Sequence, residues 1–117
     1  MKKIESFNAK DVVKFDDVVI NKGNSYNPAT GIFTAPTGGL YVLSCMIMAG
    51  DGNAVYFHWY KNAAFYSNLY TPKTAHANSQ TQNLIFDLQR GDRVHIQSVG
   101  SHKLHGDRYT YFSGYKL

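Results

Sequence analysis

Leu40-Tyr41-Val42-Leu43-Ser44-Cys45-Met46-Ile47-Met48 alternates as a β-strand does, but incompletely. Tyr41, Leu43, Cys45 and Ile47 make one apolar face. Leu40, Val42, Met46 and Met48 make a second face that is nearly as apolar, interrupted only by Ser44. A strand with water on one side alternates apolar with polar residues, so something covers the second face of this one. Irregular core packing would do so, and so would a subunit interface. Tyr56, Tyr60, Tyr109, Tyr111 and Tyr115 favour the interface, because tyrosine suits surfaces that are buried yet keep a polar handle. The candidate interface is therefore Leu40, Val42, Met46, Met48, Tyr56, His58, Tyr109 and Tyr111.

Outward from this strand, turn chemistry recurs at short intervals: Asn21-Lys22-Gly23-Asn24, Pro28 to Gly31, Pro36 to Gly39, Gly50-Asp51-Gly52-Asn53, Arg90-Gly91-Asp92 and Gly106-Asp107. Between them lie β-type segments at 12–20, 31–34, 40–48, 54–60, 81–88, 94–99 and 109–117. Gly91-Asp92 reads as a hairpin turn between two of them. Residues 61–79 form the longest irregular region, and no stretch carries a convincing 3.6-residue apolar stripe. Many short strands at near-regular spacing predict an antiparallel sandwich or barrel.

The composition agrees. Charged residues are 17%, below a typical ~25%, while aromatics reach 15% with nine Tyr and seven Phe. A disordered chain would have the opposite balance. At 117 residues there is room for one domain, spanning 1–117. The net charge of +4 comes from cations spread singly, with no basic run or RNA-binding signature, which argues against nucleic acid as a partner. Leu40 to Ala49 is too short to span a bilayer, so membrane insertion is not expected. Cys45 is alone, which excludes an intramolecular disulfide and the common zinc spacings. No apolar h-region follows Met1-Lys2-Lys3, so if the protein is secreted its signal peptide precedes this chain.

Six separated positions carry a family likeness. Phe15, Asn21, Tyr26, Phe33, Gly39 and Tyr41 resemble, in register, the signature of the globular head of complement C1q, a branch of the tumour-necrosis-factor-like superfamily. The chain departs from that signature at Leu43, where the family has Phe, and at Cys45, where it has an aromatic. Leu88-Gln89-Arg90-Gly91-Asp92-Arg93-Val94 is similar to the family's Leu-x-x-Gly-Asp-x-Val turn, and Ser6-Phe7-Asn8-Ala9 to its opening strand. Phe112-Ser113-Gly114-Tyr115-Lys116-Leu117 is similar to the closing Phe-Ser/Thr-Gly-Phe-Leu-Leu, with Lys116 in place of an apolar residue. The resemblance implies an all-β, ten-stranded antiparallel jelly-roll sandwich assembling as a trimer, with Phe15, Phe33, Tyr41, Leu43 and Phe112 in its core. It implies extracellular recognition without catalysis. No collagen-like Gly-x-y run is present, so the chain reads as the head alone.

Candidate sites follow from side-chain chemistry. Asn62, Tyr66, Asn68 and Tyr70 combine aromatic platforms with amides, as sugar recognition does, although packing alone would also use such aromatics. His102, Lys103, His105 and Arg108, in the polar loop Ser101 to Arg108, and Lys73 could meet acidic sugars or anionic surface polymers. His102 and His105 as zinc ligands lack a defined third partner, and solvated loop histidines explain them as well. His95 reads as a surface residue. Asp51 is the candidate for calcium, a metal that several members of the resembled family bind. One carboxylate per subunit supplies few of the six to eight oxygens the ion takes. No cofactor is required. Arg90-Gly91-Asp92 spells an integrin-recognition tripeptide, but at this position the turn explains it. There is no Gly-x-Ser-x-Gly elbow and no phosphate-binding glycine loop, so the chain is not expected to be an enzyme.

The expectation is a secreted, non-catalytic homotrimer, a lectin-like pattern-recognition module of innate immunity that binds microbial surface carbohydrate. The alternatives are a cytokine- or hormone-like ligand of a cell-surface receptor and a structural trimerisation head of a longer protein.

Overall fold

The computed structural model describes residues 4–15, 25–48, 54–71, 79–105 and 111–117. They hold ten strands and no helix: β1 (Ile4–Phe7), β2 (Tyr26–Asn27), β3 (Ile32–Thr34), β4 (Gly39–Met48), β5 (Val55–Lys61), β6 (Ala64–Thr71), β7 (Ser79–Leu88), β8 (Arg93–Ser98), β9 (His102–His105) and β10 (Tyr111–Lys116). All pair antiparallel, in a three-stranded sheet β10-β4-β7, a five-stranded sheet β2-β3-β8-β5-β6 and a pair β1-β9. No helix among the described residues is long and apolar enough to cross a membrane.

The core lies between the two larger sheets. Tyr41, Leu43, Cys45 and Ile47 enter it from β4, Val55, Phe57 and Trp59 from β5, and Val94 and Ile96 from β8. Phe15, Phe33, Tyr41, Leu43 and Phe112 are all buried. Phe112 is an aromatic hub: its ring centroid lies 4.6 Å from Tyr26, 5.9 Å from Phe15 and 6.4 Å from Phe33 and from Trp59. Leu43 and Cys45, smaller than the family residues they replace, are fully enclosed. The indole N–H of Trp59 donates to Gln82 Oε1 at 2.8 Å, satisfying the polar atom of the largest buried side chain.

Four expectations change. Residues 13–15 are not a strand: Val12 makes an isolated bridge to Gln97, and the Phe15 N–H donates to the Tyr26 hydroxyl instead of a ladder carbonyl. Residues 16–20 of that predicted segment lie outside the described residues. The region 61–79, read as irregular, contains β6, joined to β5 by the two-residue turn Asn62-Ala63 with both residues at positive φ. Gly91-Asp92 does not close a hairpin, because β7 and β8 belong to different sheets and the turn carries the chain between them. His102 to His105, read as loop, pair as β9 with β1.

Candidate functional site

Alternation on β5 puts Val55, Phe57 and Trp59 in the core and leaves Tyr56, His58 and Tyr60 on the outer face. Tyr56 stands opposite Tyr70 of β6, with ring centroids 4.7 Å apart. His58 stands between Asn68 of β6 and Gln97 of β8. Tyr60 stands between Phe65 and His95, and its ring lies parallel to the His95 imidazole at 5.1 Å and 2°. His58 meets the Phe65 ring edge-on at 4.7 Å, and His95 Nε2 is 2.9 Å from Gln97 Oε1. These three cross-strand rows contain rings, amides and imidazoles, and no carboxylate.

A register shift between Trp59 and Tyr60 decides which β6 residues join this face. Asn68 and Tyr70 belong to it. Tyr66 does not: its ring stacks on Phe86 at 4.2 Å and its hydroxyl donates to the Ile85 carbonyl at 2.7 Å, closing the side of the sandwich. A shallow groove of about 610 Å³ crosses β2, β3 and β8, lined by Ser25, Asn27, Thr30, Thr34 and Arg93 together with Ile32 and Pro36. Neighbouring rings remove water from the Tyr70 phenol, and its hydrogen bond with Tyr56 adds to this, so its pKa lies above the ordinary 10.0.

The opposite surface of the sandwich carries the rest of the predicted interface. On β4, Val42 stands between Ile85 of β7 and Tyr115 of β10, which are 60% and 54% exposed. Leu40 is 46% exposed and Met46 and Met48 are half-buried. The Ser44 hydroxyl donates to Asn83 Oδ1, placing one polar row across the apolar ones. Tyr56 and His58, grouped with these residues in the sequence reading, are on the other sheet. One flat contact cannot cover both sets. Tyr111 is opposite Met46 on the backbone ladder, and Tyr109 lies outside the described residues.

His102, Lys103 and His105 fall on β9, while Arg108, Lys73 and Asp51 lie outside the described residues. Among the described residues no group of three His, Cys, Asp or Glu could hold a metal ion. Asp92 is occupied by the turn. Its carboxylate accepts the Gln89 N–H at 2.9 Å and the Asn62 amide at 3.1 Å, with Lys61 Nζ 4.0 Å away. These contacts hold its pKa below the ordinary carboxylate value, the backbone hydrogen bond contributing most. That fixes the Gly91-Asp92 turn structurally and ties up the carboxylate an integrin would need. Sequence reasoning places Tyr60 among the interface tyrosines and His95 at the surface, and misses Phe65 and Gln97 as their neighbours on the outer face. The alternation of Tyr56, His58 and Tyr60 was the available signal, obscured once β6 was read as irregular.

Two antiparallel sheets closed on an aromatic core, with one apolar and one aromatic–amide outer face, define a jelly-roll sandwich of the tumour-necrosis-factor-like class. Eiger TNF from S. frugiperda superposes with a TM-score of 0.74 at 15% identity, covering 97% of this chain and 85% of that one. The globular domain of zebrafish complement 1qA gives 0.60 at 13% identity, covering 97% and 94%. Murine APRIL gives 0.64 at 15% identity, covering 97% and 98%. The C1q domain model matches residues 1–117, and the chain belongs to that family. It is 30% identical over 109 residues to mouse complement C1q tumor necrosis factor-related protein 6, covering 88% of this chain and 41% of that protein. It is 29% identical over 114 residues to the mouse related protein 3, covering 94% and 46%. The chain thus spans less than half the length of these relatives.

Proposed function

We propose that this chain is the recognition head of a secreted, non-catalytic homotrimer that binds carbohydrate on microbial surfaces as a pattern-recognition lectin of innate immunity. The outer face of β5, β6 and β8 carries the reading: rings of Tyr56, Tyr70 and Tyr60 alternate there with the amides of Asn68 and Gln97. Aromatic faces take the C–H surface of a sugar, and amides both donate to and accept from its hydroxyls. Arg93 and the histidines add affinity for acidic sugars and anionic polymers. The β10-β4-β7 face is the subunit interface, because the exposed Ile85 and Tyr115 flank the half-buried Val42 in an apolar row across it. Assembly leaves the outer sheets of three subunits free, so weak single-site contacts combine. Calcium at Asp51 is compatible with this function and is not required for it.

A second reading has its own support. The relatives are named as tumor necrosis factor-related proteins, which favours a trimeric ligand of a cell-surface receptor. Their greater length equally suits a trimerisation head within a longer protein. A glycan array probed with the labelled protein separates these readings. Signal on microbial glycans, lost in Tyr70→Ala, supports the lectin; silence on every glycan together with saturable binding to cells supports the receptor ligand.

A further inference from the structure

Lys116 lies on the core-facing side of β10, on the same strand face as Phe112 and Gly114 and opposite Tyr41 of β4. The closing motif that this strand resembles has an apolar residue there. The stem of Lys116 crosses Gly39, where a Cβ would sit 2.6 Å from its Cε, so the missing side chain at Gly39 makes the passage. Gly39 also has φ +149, a conformation glycine tolerates. The lysine therefore reaches the end of the sandwich instead of turning away from it.

A cavity of about 340 Å³ opens at that end between the two sheets. It is lined by the buried Tyr26, Phe33, Tyr41 and Phe112 together with Pro36 and Tyr115, the last of which also belongs to the row beside Val42. The two buried phenols, Tyr26 and Tyr41, are satisfied internally. Tyr26 accepts from the Phe15 N–H and donates to the Val13 carbonyl, while Tyr41 donates to the Thr37 carbonyl at 2.7 Å. The lining is mostly apolar, and Ser25, Thr37 and Lys116 supply its polar members. Among the described residues the one ion pair is Lys61–Asp92, so none of their carboxylates neutralises Lys116.

We infer that this cavity is a binding site for a small amphipathic anion, a flat apolar body carrying one carboxylate or sulfonate, with the apolar lining in contact with the body and Lys116 pairing with the charge. The volume falls at the lower end of ligand pockets, roughly 300–1,000 Å³. The site is separate from the outer face of β5, β6 and β8 and does not depend on carbohydrate binding.

The test uses 2-naphthoate and its neutral analogue 2-naphthamide as probes, titrated into the full chain and followed by amide NMR shifts. Naphthoate is expected to bind about tenfold more tightly than naphthamide, as a charge-assisted contact provides. The shifts should centre on Thr37, Tyr41 and Gly114. Lys116→Met should abolish the preference while naphthamide affinity stays unchanged, and Lys116→Arg should retain it. Equal affinity for the two probes, a preference surviving in Lys116→Met, shifts centred elsewhere, or no shifts at millimolar probe would each overturn the site.

Discussion

Tyr56 and Tyr70 stand directly opposite one another on β5 and β6 with ring centroids 4.7 Å apart, and their hydroxyls share a hydrogen bond at the surface. Desolvation and this bond favour the protonated Tyr70. The associated stabilisation is fully present below the ordinary value of 10.0 and is lost as pH rises through the raised folded value. Tyr56→Phe should bring the Tyr70 titration part of the way back toward 10.0, because desolvation persists while the hydroxyl's contribution goes. Ultraviolet titration of tyrosinate, assigned by comparison with Tyr70→Phe, measures it; an unchanged Tyr70 midpoint would contradict the pairing.

The apolar row Val42, Ile85 and Tyr115 predicts the state of assembly. Light scattering should report three copies of the 13.2 kDa chain, about 40 kDa. Ile85→Asp puts an unpaired charge in the middle of the contact and should lower the mass to that of a monomer with the β-type circular dichroism intact. A wild-type monomer, or a trimer indifferent to Ile85→Asp, would remove this face as the interface.

Leu43 and Gly114 fill one space. A Cβ at Gly114 would lie 2.6 Å from Leu43 Cδ2, the movable end of a fully buried side chain. Gly114→Ala should cost about 1–3 kcal/mol through overpacking. Leu43→Ala should cost about 2–5 kcal/mol through the cavity it leaves. The double variant should be more stable than their sum by about 0.5–3 kcal/mol, since each relieves the other. Additive losses in denaturant unfolding would show that the two side chains do not share the space.

Asp92 gives the turn at Gly91 a pH signature. Its folded pKa lies below the ordinary 3.8, so its stabilising contribution is fully present above that value and is lost as pH falls through the folded pKa. Asp92→Asn should lower the Tm at neutral pH, and the gap from wild type should close toward about pH 2. A gap constant over that range would show that the charge of Asp92 is not what holds the turn.

The parts of this molecule legible in the sequence are those where burial enforces a strict period. Tyr41, Leu43, Cys45 and Ile47 are all buried, and the incomplete alternation of Leu40 to Met48 located the exposed apolar face beside them. Strand β6 was not legible for two reasons. The Asn62-Ala63 turn lacks a glycine although Ala63 sits at φ 65, and the bulge opposite Trp59 and Tyr60 breaks the two-residue period on an edge strand. Losing β6 hid the rows that join Tyr56, His58 and Tyr60 to their neighbours, and the sequence pattern does not show that Tyr56 and His58 lie on a different sheet from Leu40 to Met48. The cavity beside Lys116 is a property of packing between distant strands. Only the replacement of an apolar residue by Lys116 in the closing motif hinted at it.

Recognition through the outer sheet is tested most directly by binding of the trimeric protein to immobilised microbial glycans, wild type against Tyr70→Ala. Tyr70 is 43% exposed, so the variant should keep its mass and its β-type circular dichroism, with a Tm lowered only by loss of the contact with Tyr56. The account predicts saturable binding by the wild type, weakened about tenfold by Tyr70→Ala because a stacking platform is lost. Equal binding by the two proteins, or no binding by the wild type, would contradict it.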